Sequence, residues 1–286
     1  MGNRYFVQYL LNVGALKADE VQELMAKASK AEPGLPLLAM RKGLLSSAQL
    51  SEMDISDEAA FAEEAKDSKL LTVAQIDTLK NEAASSDACF GQALLDAGLA
   101  DYAKLEALFS EADKAEEEES PVYAAVMSRA GDDDAHLYEI YGKYADMFIS
   151  SVQRFMNTDA VLLPGEAMLD ADGTHLVSQS LGGGLVLTPG VMAKNDVFLE
   201  MGRRYSGEEL EEIDNLAVDC VAEFINVLNG LYIVSLSQLD MDMDVDLGEP
   251  KDAENVLPMA TNMLALNVGT EFGSFVLYMA QDEFMF

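Results

Sequence analysis

Asp219-Cys-Val-Ala-Glu223-Phe-Ile-Asn226-Val-Leu-Asn-Gly230 is the stretch on which the reading of the fold turns. Successive residues of a helix are rotated by about 100°. At that advance Ala217, Val221, Phe224, Ile225 and Leu228 gather on one side, a face built to be buried. Asp219, Glu223, Asn226 and Gly230 gather on the other, with Glu223 and Asn226 three apart and therefore side by side. Two carboxylates, a carboxamide and a glycine thus form one exposed stripe. It is either a solvated helix face closed by a C-cap glycine or a face that meets a partner.

Upstream, Ser206-Gly-Glu-Glu supplies a helix start, with Ser206 as cap and Glu209 in the capping-box position. The helix is expected to run to about Asn229 and stop at Gly230. Val191–Arg204 reads as a preceding helix, and Ala135–Met156 as a longer one whose N-terminus Asp132, Asp133 and Asp134 would cap. The latter presents Leu137, Ile140, Tyr141, Tyr144, Phe148, Val152 and Phe155 as a core stripe. Between them Val161–Pro164, His175–Ser180 and Leu185–Leu187 read as strands, the last two joined at Gly182-Gly183-Gly184 by a hairpin turn. Downstream, Leu231–Leu247 reads as one or two strands, and Met263–Val268 with Ser274–Ala280 as a final hairpin. Strands interrupted by long helices indicate an α+β domain, long helices packed on a mainly antiparallel sheet, over 133–286.

The first third has another character. Leu10-Leu11-Asn-Val-Gly14, Leu37-Leu38-Ala-Met-Arg-Lys-Gly43 and Leu94-Leu95-Asp-Ala-Gly98 share an apolar pair followed by a glycine. Lys69 takes the glycine's place in a degenerate further copy. An apolar residue follows seven positions after each: Val21, Leu50, Ile76 and Leu105. The repeat interval, 26 to 29 residues between Gly14, Gly43, Lys69 and Gly98, indicates stacked helical hairpins. The glycine would end one helix in the left-handed conformation, and Ser46, Thr72 or Asp101 would cap the next. Residues 1–114 are therefore expected to form an all-helical module of four repeats. Residues 115–132 form an acidic linker, unless Lys114–Pro121 is the solvated end of the last repeat helix.

Composition excludes several functions. The 286 residues carry 51 acidic and 18 basic side chains, a formal net charge of −33. Half are hydrophobic, too many for a disordered acidic tail. Nucleic acid is excluded as a partner, because phosphate contacts need clustered Lys and Arg. An anionic membrane surface is excluded on the same ground, and no apolar run approaches the ~20 residues of a membrane span. Without a signal-like N-terminus, a cytoplasmic protein is expected, with Cys89 and Cys220 as buried reduced thiols. His136 and His175 are far apart and far from both cysteines, against a zinc site. No phosphate-binding glycine loop and no nucleophile elbow occurs. Asp240–Asp246 alternates acids with Met241, Met243 and Val245, but lacks the central glycine and closing glutamate of a calcium loop; it reads as a half-buried strand.

The pattern Glu223-x-x-Asn226 with Gly230 four residues on, in this order of helices and strands, resembles the CheX and CheC family of chemotaxis phosphatases over about residues 133–286. A single such helix makes it more similar to CheX. The resemblance implies a homodimer that hydrolyses the aspartyl phosphate of a CheY-like receiver domain. Asn226 would hydrogen-bond the attacking water and Glu223 would pair with the receiver's active-site lysine. Asp219 and Gly230 would assist docking. No cofactor of its own is implied, and the magnesium would belong to the receiver. The same face on a non-enzymatic adaptor is the alternative. The N-terminal repeats resemble the N-terminal domain of type II secretion and pilus ATPases, some of which bind a cyclic dinucleotide. Gly34-Leu35-Pro36 and Cys89-Phe90-Gly91 lack the arginine of the binding versions, so a nucleotide-sensing module is the remaining alternative.

One feature sits awkwardly with a receiver partner. Receiver domains are commonly acidic around the phosphorylation site, and from Ser120 onward this chain has 28 acidic residues against 7 basic ones; like-signed molecules associate slowly. Lys194, Arg203 and Arg204 are the expected source of local neutrality at the docking face.

Overall fold

The computed structural model describes residues 3–131, 134–165, 167, 170–238 and 245–285. The chain divides into two compact units, Met1–Pro121 and Val122–Phe286.

The first unit is helical: α1 (Phe6–Asn12), α2 (Ala18–Ala28), α3 (Leu35–Arg41), α4 (Ser47–Leu50), α5 (Glu58–Asp67), α6 (Val73–Asn81), α7 (Ser86–Asp96) and α8 (Tyr102–Glu118). Helices α1, α3, α5 and α7 end alike. Gly14, Gly43, Lys69 and Gly98 all have positive φ, between 59° and 70°. At each, two backbone N–H groups turn back onto the last helical turn, as in Ala15 to Leu10 and Leu99 to Leu94. Ser46, Thr72 and Asp101 each accept a bond from the N–H three residues on. Val21, Leu50, Ile76 and Leu105 are buried. Of the two readings of the acidic run, the helical one holds: α8 carries it to Glu118, anchored by buried Leu105, Phe109 and Ala112.

The second unit opens with α9 (Pro121–Met127), followed by α10 (Ala135–Met156), β1 (Ala160–Leu163), β2 (Thr174–Ser178), β3 (Leu181–Gly183), β4 (Thr188–Lys194), α11 (Asn195–Ser206), α12 (Asn215–Gln238), β5 (Val245–Leu247), β6 (Lys251–Glu254), β7 (Leu264–Thr270) and β8 (Gly273–Ala280). Six strands form one antiparallel sheet in the order β1-β7-β8-β4-β2-β6, and β3 pairs with β5 apart from it. Phe148 of α10 stacks edge-on against Phe224 of α12 and Phe275 of β8, joining both helices to the sheet in one core.

Several expected boundaries move. Val191–Lys194 is strand, and the helix starts only at Asn195. Val191 and Met192 of β4 point to opposite faces of the sheet and both are fully buried, so its apolar run lacks the alternation that marks a strand. Leu185–Leu187 is not a strand; Leu187 bonds back to Leu181 across the glycine turn, where Gly183 has φ 89°. Ser206 does not start a helix. It is the last residue of α11, its hydroxyl donating to Gly202 O, and Gly207 at φ 75° closes that helix. Helix α12 starts eight residues later, where Asp214 Oδ1 accepts from Ala217 N at 3.0 Å. Gly230 does not stop it, because Tyr232 and Leu236 continue the buried stripe and repay the glycine's modest helix cost. Leu231–Gln238 is accordingly helix, not strand. Asp134 precedes α10 without a side-chain cap bond. Asp132, Asp133 and the Asp240–Asp244 part of the alternating stretch lie outside the described residues. Neither cysteine is in a disulfide; Cys220 is buried as expected, whereas Cys89 is only half-buried.

Among the described residues, Asn215–Leu236 of α12 is long and apolar enough to cross a membrane by length and composition. This departs from the expectation that no apolar run approaches that length. Here alanine, cysteine and glycine fill the gaps between large apolar side chains, and Asp219 and Glu223 are the only charged residues.

Candidate functional site

Helix α12 presents the stripe as the period required. Ala217, Val221, Phe224, Ile225 and Leu228 are fully buried. Asp219 and Glu223 are exposed, and Asn226 and Gly230 are half-buried. Asn226 Nδ2 donates to Glu223 Oε2 at 3.2 Å, so these two form one polar unit. Asp219 lies one turn before it and makes no ion pair among the described residues, nor does Glu223. Gly230 lies one turn after. A Cβ there would meet nothing within 4 Å, which leaves bare helix backbone beside Asn226.

Beneath this surface are groups that sequence reasoning missed. Gln179 directly follows β2 and is 2% exposed. Its Nε2 donates to Asn226 Oδ1 at 3.0 Å and to Gly248 O at 2.9 Å. Its Oε1 accepts from Asn229 Nδ2 at 2.8 Å. Asn229 is fully buried, and its Oδ1 accepts from the Tyr144 hydroxyl at 2.7 Å. Burial pushes the Tyr144 hydroxyl well above the usual phenol range, with Tyr232 adding to the shift, so it stays a donor. The available signal was Asn229 itself, an amide beside an otherwise apolar stripe. Its partner is 50 residues away, at a spacing no local pattern reveals.

The wall beside Glu223 is aromatic. Tyr205 packs edge-on against Phe155 and Phe224. Its hydroxyl is raised first by burial, then by the Glu223 carboxylate. Helices α11 and α12 approach closely at Gly202, where a Cβ would stand 3.6 Å from Ala217 O and 3.8 Å from Cys220 Cβ of α12, and 2.9 Å from Leu210 Cδ1 of the intervening loop.

The cations expected to neutralise this face are committed elsewhere. Arg204 binds Glu200 at 2.8 Å and Glu271 at 2.7 Å and lies over the Phe272 ring. Arg203 Nε donates to Leu210 O at 2.6 Å, with Glu200 at 3.6 Å. Lys194 donates to the carbonyls of Asp170 and Asp172. All three are thus engaged within the chain.

In the first unit a cleft of about 550 Å³ is lined by Arg41, Lys42 and Glu82, among others. Both cations are paired there, Arg41 with Asp87 and Asp113 and Lys42 with Glu82. Gly34-Leu35-Pro36 opens α3 and Cys89-Phe90-Gly91 lies within α7, with Leu35 and Phe90 in the core. Among the described residues, no group of three or more His, Cys, Asp or Glu side chains is arranged to hold a metal ion.

No family model matches the chain, and no curated protein matches it in sequence. Solved structures do match. A chemotaxis protein CheX from Desulfovibrio desulfuricans is 14% identical, over 50% of this chain and 99% of its own, at a TM-score of 0.41. A CheX–CheY–BeF3–magnesium complex from Borrelia burgdorferi matches at 12% identity, 49% of this chain, 95% of the other and a TM-score of 0.41. FliY from Thermotoga maritima matches at 14%, 53%, 90% and 0.39. The structure neighbours over about half of the chain are thus CheX-like and CheC-like chemotaxis proteins, with FliY and FliM beside them.

Proposed function

We propose that the chain accelerates hydrolysis of the aspartyl phosphate on a CheY-like receiver domain, through Glu223 and Asn226. One observation carries the reading. An exposed carboxylate without an ion-pair partner among the described residues stands 3.2 Å from a carboxamide that a buried amide holds from beneath. This is what in-line attack by water on another protein's phosphate requires, since such chemistry is mostly positioning and charge stabilisation. Glu223 pairs with the receiver's lysine and sets the register. Asn226 reaches the attacking water with its outward N–H and with the lone pair of Oδ1 that Gln179 leaves free. The receiver brings the magnesium, and no covalent intermediate forms on this chain. Bare backbone at Gly230 gives the receiver room, and Asp219 orients it. The reading implies a cytoplasmic homodimer, in which residues 1–114 are a module of helical repeats.

A second reading has an observation of its own. Lys194, Arg203 and Arg204 are all engaged within the chain, so the docking face keeps its acidity and slows encounter with an acidic receiver. A non-enzymatic adaptor that binds and stays needs no fast encounter.

The test is loss of phosphate from a phosphorylated CheY-like receiver, with and without the full chain. Acceleration that disappears in the Glu223→Ala, Asn226→Ala double variant supports the phosphatase. Binding without acceleration supports the adaptor and removes the phosphatase.

A further inference from the structure

Five side chains form a hydrogen-bonded line from the core to the surface. Tyr144 donates to Asn229, Asn229 to Gln179, Gln179 to Asn226, and Asn226 to Glu223, at 2.7, 2.8, 3.0 and 3.2 Å. Every donor points the same way. A carboxamide has one accepting edge and one donating edge, so turning one amide over breaks the line on both sides of it.

Two groups that only accept fix the direction. Gly248 O is a backbone carbonyl 2.9 Å from Gln179, so Gln179 must turn its NH2 edge there. The same NH2 meets Asn226, which must answer with its oxygen. The Glu223 carboxylate also only accepts, and it receives the Asn226 NH2. Gln179 Oε1, facing the other way, must then receive from Asn229, which leaves Asn229 Oδ1 for the Tyr144 hydroxyl. Because Gln179 and Asn229 are buried, a reversed amide would leave polar atoms facing each other unpaired, at about 1–3 kcal/mol each.

We propose that Gln179 is a positioning residue that locks the Asn226 side chain in one rotamer and one amide orientation, with its N–H edge presented outward. This rests on the reading that Asn226 acts on the receiver's attacking water. Asn226 is half-buried on a helix surface, where a free side chain would sample several rotamers and both amide faces. Locked from below, it meets the phosphate already oriented, and docking does not have to order it. Gln179 touches neither receiver nor water. Its anchorage to Gly248 O makes the loop that follows β5 part of the support of the site.

The test separates orientation from catalysis. In the full chain, Gln179→Leu keeps the bulk and removes both edges. The maximal rate of receiver dephosphorylation should fall about tenfold to a hundredfold, the scale of a misplaced reacting group, with half-saturating receiver concentration unchanged. An unchanged rate overturns the proposal, and so does a rise in half-saturation that accounts for the whole loss, since that is lost docking. The NMR order of the Asn226 side-chain amide in the unsubstituted protein is read alongside. It should approach rigid backbone, an order parameter of about 0.85, and a value below about 0.6 overturns the locking even if Gln179→Leu fails to fold. If the unsubstituted protein accelerates nothing, the phosphatase reading falls by itself. The amide measurement then decides the locking alone: loss of order in Gln179→Leu supports it, and order kept overturns it.

Discussion

Arg41 Nε lies 2.6 Å from Asp87 Oδ2, and the Asp87 side chain is wholly shielded from solvent. The two terminal nitrogens of the same guanidinium hold Asp113 at 2.8 Å each, and its plane covers the Phe109 ring. Asp87 also accepts from the backbone N–H of Asn3, so one buried carboxylate ties α7, α3 and the N-terminal residues together. Removing one partner of such a pair strands the other charge. Arg41→Met should destabilise the protein by about 3–5 kcal/mol in urea unfolding, and adding Asp87→Leu should recover part of that loss. A double variant no better than the single would show that packing under Phe109, not the stranded charge, sets the cost.

Tyr141, Tyr144 and Tyr232 all have hydroxyls raised above the usual phenol range, chiefly by burial. In the unfolded chain they ionise near pH 10, whereas in the fold they keep their protons to higher pH. The folded state therefore binds more protons above about pH 10. Their contribution is complete below that pH and is lost as pH climbs toward the folded values. Urea midpoints should hold between pH 8 and 9.5 and fall steeply above 10. In Tyr144→Phe the decline should be shallower. That variant should also be less stable by about 1–3 kcal/mol at pH 8, because Asn229 Oδ1 loses its donor. An equal alkaline slope in both proteins would mean that Tyr144 is not the group that resists ionisation.

Glu223 and Asn226 are neighbours with different expected tasks, and kinetics can part them. Glu223→Ala removes the partner of the receiver's lysine. It should raise half-saturating receiver concentration about tenfold, the worth of one charge-assisted hydrogen bond of about 1.5 kcal/mol, and weaken the salt dependence of association. Asn226→Ala should lower the maximal rate about 100-fold and leave half-saturation near its original value. If both variants changed only half-saturation, the stripe would be a docking face without catalytic content, which is the adaptor reading.

What was legible in the sequence followed from period, and what was not followed from distance. The stripe of Asp219, Glu223 and Asn226 came from an advance of about 100° per residue; Asp219 and Glu223 are exposed as it requires, while Asn226 is half-buried. The ends of the same helix did not follow. Ser206-Gly207 carries a start signal, but Gly207 was needed to close α11, and a residue inside one helix cannot cap the next. Gly230 looked like a terminus because glycine usually is one, yet the buried positions Tyr232 and Leu236 carry the helix past it. Strand β4 gave no alternation because both faces of the sheet are covered there: Val191 and Met192, which point to opposite faces, are both fully buried. Gln179 and Asn229, which brace the site, are 50 residues apart and have no meaning until β2 is laid beside α12.

Lys69 offers the sharpest check on the N-terminal turns. Its φ is 59°, against 70°, 66° and 67° at Gly14, Gly43 and Gly98. Lys69 N–H reaches Lys66 O and Leu70 N–H reaches Ala65 O, the same pair of bonds that Gly98 and Leu99 make to Leu95 and Leu94. A side chain in the left-handed region costs about 1–2 kcal/mol through its β-carbon. Glycine avoids that cost but gives back about 0.4–1 kcal/mol through the greater freedom of the unfolded chain. Lys69→Gly should therefore stabilise by roughly 0.5–1 kcal/mol. Gly98→Lys should destabilise by a similar amount. A Cβ at Gly98 would meet nothing within 4 Å, so backbone conformation alone sets the penalty there. Urea midpoints that move in opposite directions for the two swaps would establish the turns as energetically equivalent. Midpoints that move together would mean that Lys69 is held by contacts of its long side chain, and that the degenerate copy departs from the others in more than one residue.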